Sequence, residues 1–249
     1  MERIESLEGK SVAIVGLGKS WHDYNLAKSH GAHFDEVWAI NGVGSVIYHD
    51  RVFMMDPPGR FLDTDDAGGQ TDGVTQILLN GETPIYTCML DDRCRNLVEY
   101  PINEILEEFN CCYINNTVAY AIAFALWNKV STLKLFGIDF SYKGNLHFAE
   151  SGRACCEFWL SKAMHLGVEV EVAKTSALLD TDVIAEEKLY GYHRLQDPLV
   201  IMSNGEGFMT SMKRSEAIAM QEQEQEREPI LIDRNDNHLE PKIGEPKKW

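Results

Sequence analysis

The sequence predicts an α/β fold: a doubly wound, mostly parallel sheet with helices on both faces, followed by a C-terminal tail that is partly helical and partly irregular. Three observations predict it. Short apolar β runs alternate with segments of helical period as far as about residue 180. The first β run breaks into Gly16-Leu17-Gly18-Lys19-Ser20, a tight turn leading into a polar, helix-compatible stretch. The chain of 249 residues, 44% hydrophobic, is long enough to bury one full core, so the economical division is one α/β domain over 1–180 and an extension over 181–249.

Each element follows from local pattern. Ser11 to Gly16 reads as the first strand, and Ser20 to His30 as a helix with Trp21, Tyr24 and Ala27 at helical spacing. Glu36 to Asn41 and Arg51 to Asp56 are the second and third strands. Pro57 to Gly73 is rich in Gly, Pro and Asp without apolar period, which predicts a mobile loop beside the site. Pro84 to Thr87 is a short strand, Pro101 to Asn110 a helix opened by its proline, and Asn116 to Trp127 an Ala-rich apolar helix packed on the sheet. Thr132 to Phe136 is a buried strand running into Gly137-Ile138-Asp139-Phe140. Glu150 to His165 is the next helix, and Val168 to Val172 the last core strand. Beyond Thr181, Ser215 to Glu228 reads as an exposed Gln/Glu-rich helix. Pro229 to Trp249 reads as an irregular stretch or one that serves contacts between subunits, so a homo-oligomer is left open.

Composition limits the function. Lys and Arg number 23 against 39 Asp and Glu, a formal net charge of -16, so tight binding to duplex DNA is disfavoured and a small activated metabolite is favoured. No apolar stretch is long enough for a membrane span, and Met1-Glu2-Arg3-Ile4-Glu5 lacks the order of a signal peptide, which predicts a cytoplasmic protein without membrane partners. The six cysteines include two vicinal pairs and no Cys-x-x-Cys, so they are expected to be reduced and buried, with Cys155 and Cys156 packed in the core.

The Gly16-x-Gly18 corner predicts a phosphate site, because backbone amides at the start of a helix carry partial positive charge. A dinucleotide fingerprint is excluded by Trp21, which stands where a third small residue is needed, and by Asn41, where the second strand should close on an acid. A Walker A loop is excluded because its first glycine would fall at Ala13. A mononucleotide or nucleotide-diphosphate site remains. Ligands of open α/β sheets lie outside the carboxyl ends of the strands, and those positions here are polar: Gly16, Gly18, Lys19 and Ser20, then Asn41, Asp56, Asn116, Thr117 and Asp139. Asn41 and Asn116 read equally well as caps. Asp56 and Asp139 leave magnesium open, but no metal site is predicted, because no cluster of ligands has tight spacing. His147, in the polar stretch after the fifth strand, is the candidate general acid/base; a surface histidine is the plainer reading of its spacing.

Taken in order, Gly16-Leu17-Gly18-Lys19-Ser20, Ala39-Ile40-Asn41, Met55-Asp56-Pro57, Asn116-Thr117-Val118 and Gly137-Ile138-Asp139-Phe140 resemble the bacterial sialyltransferases that build lipooligosaccharide termini. The resemblance extends to a wider Rossmann-like set that includes archaeal hydroxymethylpterin pyrophosphokinase and uncharacterised tailed-phage proteins, and it spans roughly residues 10 to 180. It implies His147 as general base, followed by Glu157-Phe158 at the family's spacing, and donor contacts on Gly16, Gly18, Asn41, Asp56, Asn116, Thr117, Asp139 and Phe140. Lys174-Thr175-Ser176-Ala177-Leu178 is similar to the family's phosphate-side loop. The chain departs from the family at Lys19 in place of Pro, Asp56 in place of Asn, Asn116-Thr117 in place of Ser-Gly, and Ser141 in place of Tyr.

The expected function is therefore a transferase that uses a nucleotide-activated donor, a CMP- or UDP-linked sugar, on an acceptor of unknown identity. His147 is expected to deprotonate the acceptor and Asp139 to assist, with no obligatory metal. The alternatives are an ATP- and magnesium-dependent pyrophosphokinase-like enzyme and a non-catalytic phage accessory or assembly protein that keeps the fold.

Overall fold

The structure is a computed structural model that describes residues 1–65, 67–140, 145–184, 188–190, 197, 199–203 and 209–227. It divides into two units, Met1–Ile184 and Ala185–Trp249. The first runs β1 (Ser11–Val15), α1 (Trp21–Ser29), β2 (Glu36–Ile40), β3 (Arg51–Phe53), α2 (Gly59–Leu62), α3 (Thr71–Asn80), β4 (Ile85–Thr87), β5 (Leu97–Glu99), α4 (Ile102–Phe109), α5 (Thr117–Trp127), β6 (Thr132–Phe136), α6 (Leu146–His165) and β7 (Glu169–Val172). The second holds β8 (Leu199–Ser203) paired antiparallel with β9 (Met209–Lys213), then α7 (Arg214–Arg227).

The seven-stranded sheet has the order β5-β4-β3-β2-β1-β6-β7, and every pairing in it is parallel. The chain winds outward from β1 through β2 to β5, then returns to add β6 on the other side of β1. The order therefore reverses between β1 and β6, and a crevice opens outside the carboxyl ends of those strands.

Both faces are covered at the centre of the sheet, which is why β1 and most of β2 read as unbroken apolar runs, whereas the outer β7 alternates charged and apolar residues. On one face Val12, Ile14, Trp38 and Phe53 pack against α4, α5 and α6; on the other Ala13, Val15, Val52 and Ile85 pack against Tyr24 of α1 and Val74, Ile77 and Leu78 of α3. Helix α5 is buried nearly all round, and its alanines let Phe124 reach the sheet, with ring centroids 4.6 Å from Tyr86 and 5.4 Å from Phe53.

Four expectations are corrected. The segment expected to be an irregular loop from 57 to 73 holds α2 and a tight turn at Gly68–Gln70, and Thr71 begins α3. Its glycines and prolines mask the signal, but Val74, Ile77 and Leu78 stand at helical spacing and all face the core. Helix α6 begins at Leu146, four residues early, because the Asn145 side chain accepts the Phe148 amide and caps it; His147 therefore sits in a helical first turn and not in a loop. The short edge strand β5 and the β8–β9 hairpin were not expected. Two cysteines, Cys88 and Cys112, are exposed, whereas Cys155 and Cys156 are buried as expected and no described cysteine is in a disulfide. The stretches 141–144 and 229–249 lie outside the described residues. Among the described residues no helix is long and apolar enough to cross a membrane.

Candidate active site

The corner after β1 is glycine-rich for a reason other than the expected one. A side chain at Gly16 would meet the Gly137 carbonyl at 2.6 Å, and one at Gly18 would meet the same oxygen at 2.7 Å and the Asp139 carboxylate closer still. The corner is thus pressed against the loop after β6 and stitched to it. The Gly18 amide donates to the Gly137 carbonyl (2.8 Å), the Ser20 amide to Asp139 Oδ2 (2.8 Å), and the Gly137 amide to Ser20 Oγ (2.9 Å). These bonds consume the Gly18 and Ser20 amides that the sequence offered to a phosphate, and Ser20 is fully buried. Ser20 is a structural residue, and Asp139 is first the carboxylate that holds the start of α1.

Beyond the stitched corner lies a cleft in two parts. The first chamber, about 360 Å³, is lined by Gly16, Gly18, Lys19, Asn41, Asp139 and Phe140, among others. The second, about 610 Å³, takes in Asp56, Arg60, Asn116, Thr117, Tyr120 and Phe148. Ile40, Asn41, Gln70, Val118 and Phe140 line both, so the chambers share a wall. A larger hollow near the N-terminus, lined by Met1, Glu104 and Lys129, lies away from these strand ends and gathers none of the predicted residues.

Two residues of the shared wall are held in left-handed backbone, Asn41 at φ 50° and Phe140 at φ 49°. Such conformations in residues other than glycine persist where the surroundings dictate them, and they gather at binding sites. Asn41 Oδ1 is buried with no hydrogen-bond partner among the described residues. An orphaned acceptor in a cleft wall is a group waiting for a donor. Phe140 lies against Gly152 of α6, where a side chain would come within 2.7 Å of the ring, so the glycine is what admits the aromatic wall.

The remaining predicted residues divide by role. Asn116 is the cap of α5: its Oδ1 accepts the Ala119 amide (3.0 Å), and its Nδ2 donates to the Gly152 carbonyl (3.1 Å). The bond to Gly152 ties α5 to the first turns of α6. Thr117 and Val118, the first two helical residues, keep their amides outside the intrahelical ladder and face the cleft. Lys19 is exposed and lies 3.6 Å from Asp182. Asp56 is paired with Arg60, Nη1 to Oδ1 at 2.5 Å. His147 is exposed and lines neither chamber, but its neighbour Phe148 lines the second. Glu157 accepts from Arg153 Nε (2.8 Å) and from the Leu179 amide (2.9 Å), which makes it a brace for the turn after β7. Of the Lys174–Leu178 stretch, Lys174 and Thr175 are exposed, whereas Ser176 is buried, its Oγ donating to the Ile138 carbonyl at 2.7 Å.

Besides Tyr120 and Phe148, the lining residues that sequence reasoning missed include Arg60 and Gln70. Both come from the stretch expected to be loop, and only its concealed helical spacing could have signalled them. Burial raises the Tyr120 hydroxyl above its ordinary range. Asp56 and Asp139 line different chambers, and no group of three His, Cys, Asp or Glu among the described residues could hold a metal ion.

No protein-family profile matches the chain, and no curated protein matches it. Solved structures do. The sialyltransferase CstII from Campylobacter jejuni in complex with the substrate analogue CMP-3FNeuAc is 16% identical, with a TM-score of 0.44 over 68% of this chain and 83% of that one. The same enzyme with cytidine-5'-monophosphate is 16% identical, with a TM-score of 0.41 over 68% and 82%. An α-2,3-sialyltransferase from the same organism, in apo form, is 15% identical, with a TM-score of 0.40 over 91% and 99%.

Proposed function

We propose that the cleft binds a nucleotide-activated sugar of the CMP- or UDP-linked type and that the protein is a sialyltransferase-like glycosyltransferase. The observation that carries the reading is the shared wall at the strand-order reversal, where the buried acceptor of Asn41 stands unpartnered between two chambers. Two joined chambers suit a two-part ligand: the nucleoside in the first and the transferred sugar in the second. The phosphate then lies at the junction, facing the Thr117 and Val118 amides at the start of the eleven-residue α5. Lys19, lining the first chamber, supplies positive charge to the departing group, so the chain's own cation can stabilise it. The phosphate site is thus moved from the corner after β1 to the start of α5.

In this reading His147 takes the proton of the acceptor hydroxyl as its oxygen attacks the anomeric carbon. The bond from that carbon to the phosphate oxygen breaks, and the nucleotide leaves with the electron pair. What supports this role is the neighbouring Phe148, which stands in the same first turn of α6 and lines the second chamber. Asp139 serves as a positioning residue for the corner. The ATP-dependent alternative calls for two aspartates around one magnesium ion, and their separation into different chambers gives it no support.

Melting temperature measured with CMP, UMP, ATP and sugar nucleotides, each with and without magnesium, tests the binding. A donor at ~100 times its Kd should add roughly 2.7 kcal/mol without magnesium. A shift with ATP and magnesium alone would replace this reading with the pyrophosphokinase one, and no shift with any nucleotide would remove both. For the chemistry, His147→Ala should lower transfer by about 10²- to 10⁴-fold while changing stability by less than about 0.5 kcal/mol. Unchanged transfer would dismiss the imidazole.

A further inference from the structure

We propose that the second chamber selects an uncharged sugar and that Asp56 imposes the choice; the inference rests on the donor reading above. Among the described residues, the charged ones lining that chamber are Asp56 and Arg60, and they neutralise each other. They stand four residues apart at the start of α2, so the pair forms with the local fold and needs no ligand to assemble it. A carboxylate entering on a sugar would have to take Arg60 from a partner tethered beside it, while lying against a like charge.

The polar groups of the wall point the same way. Asp56 is an acceptor only, and Arg60 occupies one of its roughly four lone-pair sites. Asn41 Oδ1 is a second acceptor, buried and without a partner among the described residues. Acceptors call for a ligand that donates, and sugar hydroxyls donate whereas a carboxylate has no proton to give. Tyr120, Phe140 and Phe148 supply apolar surface for the C–H face of a ring. The chain is thereby distinguished from the sialyltransferases it resembles, whose transferred sugar is anionic.

Two matched ligand pairs isolate the charge: UDP-glucose against UDP-glucuronate, and CMP-N-acetylneuraminate methyl ester against the free acid. Calorimetry on the full chain should show the neutral member of the accepted pair binding at least tenfold more tightly. In Asp56→Asn, which frees Arg60, the preference should vanish or reverse, and in Asp56→Glu it should persist; a thermal melt of each variant confirms folding. Tighter binding of the anionic member by the unaltered protein overturns this inference and leaves the donor reading intact. Absence of binding by all four sugar nucleotides, by CMP and by UMP overturns the donor reading and this inference with it.

Discussion

At the amino ends of β2 and β3, Glu36 and Arg51 form a two-pronged pair at 2.7 and 2.9 Å; at the carboxyl ends of the sheet, Asn41 keeps a buried oxygen with no partner among the described residues. The amino-end group is closed further by Trp38 Nε1 donating to Glu36 (2.6 Å) and Arg51 Nη1 donating to the Tyr86 hydroxyl (3.1 Å). Burial and the Arg51 partnership pull the Tyr86 hydroxyl in opposite directions, burial prevailing and raising it. The carboxyl end carries left-handed Asn41 and Phe140 and an open cleft. The amino-end group of β2 and β3 satisfies its polar atoms internally, while Asn41 after β2 leaves one for a ligand, and that asymmetry separates stability from binding within one scaffold.

The largest effect should come from breaking the closed end. Glu36→Ala leaves the Arg51 guanidinium in a largely buried site without its carboxylate, and stability measured by urea denaturation should fall by about 3–5 kcal/mol. Nucleotide affinity of the folded fraction should be unchanged. Loss of affinity at urea concentrations where the protein remains folded would show that the two ends are not independent.

Next in size is Gly18→Ala, which strikes the seam between structure and cleft. The added methyl would meet the Gly137 carbonyl at 2.7 Å, so the corner or the loop after β6 must give way. We expect a loss of about 1–3 kcal/mol in chemical denaturation together with weaker nucleotide binding, because both loops line the first chamber. Weakened folding with unchanged binding would mean that the corner serves the fold alone.

The closed end and the sheet were more legible in the sequence than the cleft. Apolar runs such as Val12 to Val15 and Val37 to Ile40 announce strands buried on both faces, because every position must be apolar there. Asn41 and Asp56 were also legible, since they follow strand ends that converge in a parallel sheet; Asn116 and Thr117 were legible as the start of a helix, and Phe140 through the family resemblance. What a strand end then touches is a tertiary matter. Nothing local reveals that Ser20 and Asp139 would bond each other across 119 residues, or that Asn116 would spend its side chain on a cap. Arg60 and Gln70 were hidden because Gly and Pro in 57–73 speak of turns, and short helices between turns leave little period to read.

Asn41→Gly sharpens the comparison because its two readouts should separate. Glycine adopts φ 50° without strain, so stability should change by no more than about 1 kcal/mol. Nucleotide or sugar-nucleotide affinity should nevertheless drop by about tenfold through the lost side-chain hydrogen bond. Equal affinity would return Asn41 to the role of a turn residue.

The smallest effect concerns the tie that steadies the open end from outside. Arg93, in the connection after β4, bonds Asp91 (2.7 and 2.9 Å) and reaches Asp63 at the end of α2 (2.6 and 3.0 Å), the helix that carries Arg60. Bonds from the Arg93 side chain and amide hold the Asp91 carboxyl at about 2, below its ordinary value of 3.8. A carboxyl depressed in the folded state stabilises above its unfolded value, and that contribution disappears as pH falls from about 4 toward 2. Urea denaturation at about pH 5 and about pH 3 should therefore show a larger acid loss for the unaltered protein than for Asp91→Asn, and the difference should shrink in high salt because the pair is solvent-facing. Identical acid losses would show that the tie adds nothing to folding, leaving the placement of Arg60 to α2 and Asp56 alone.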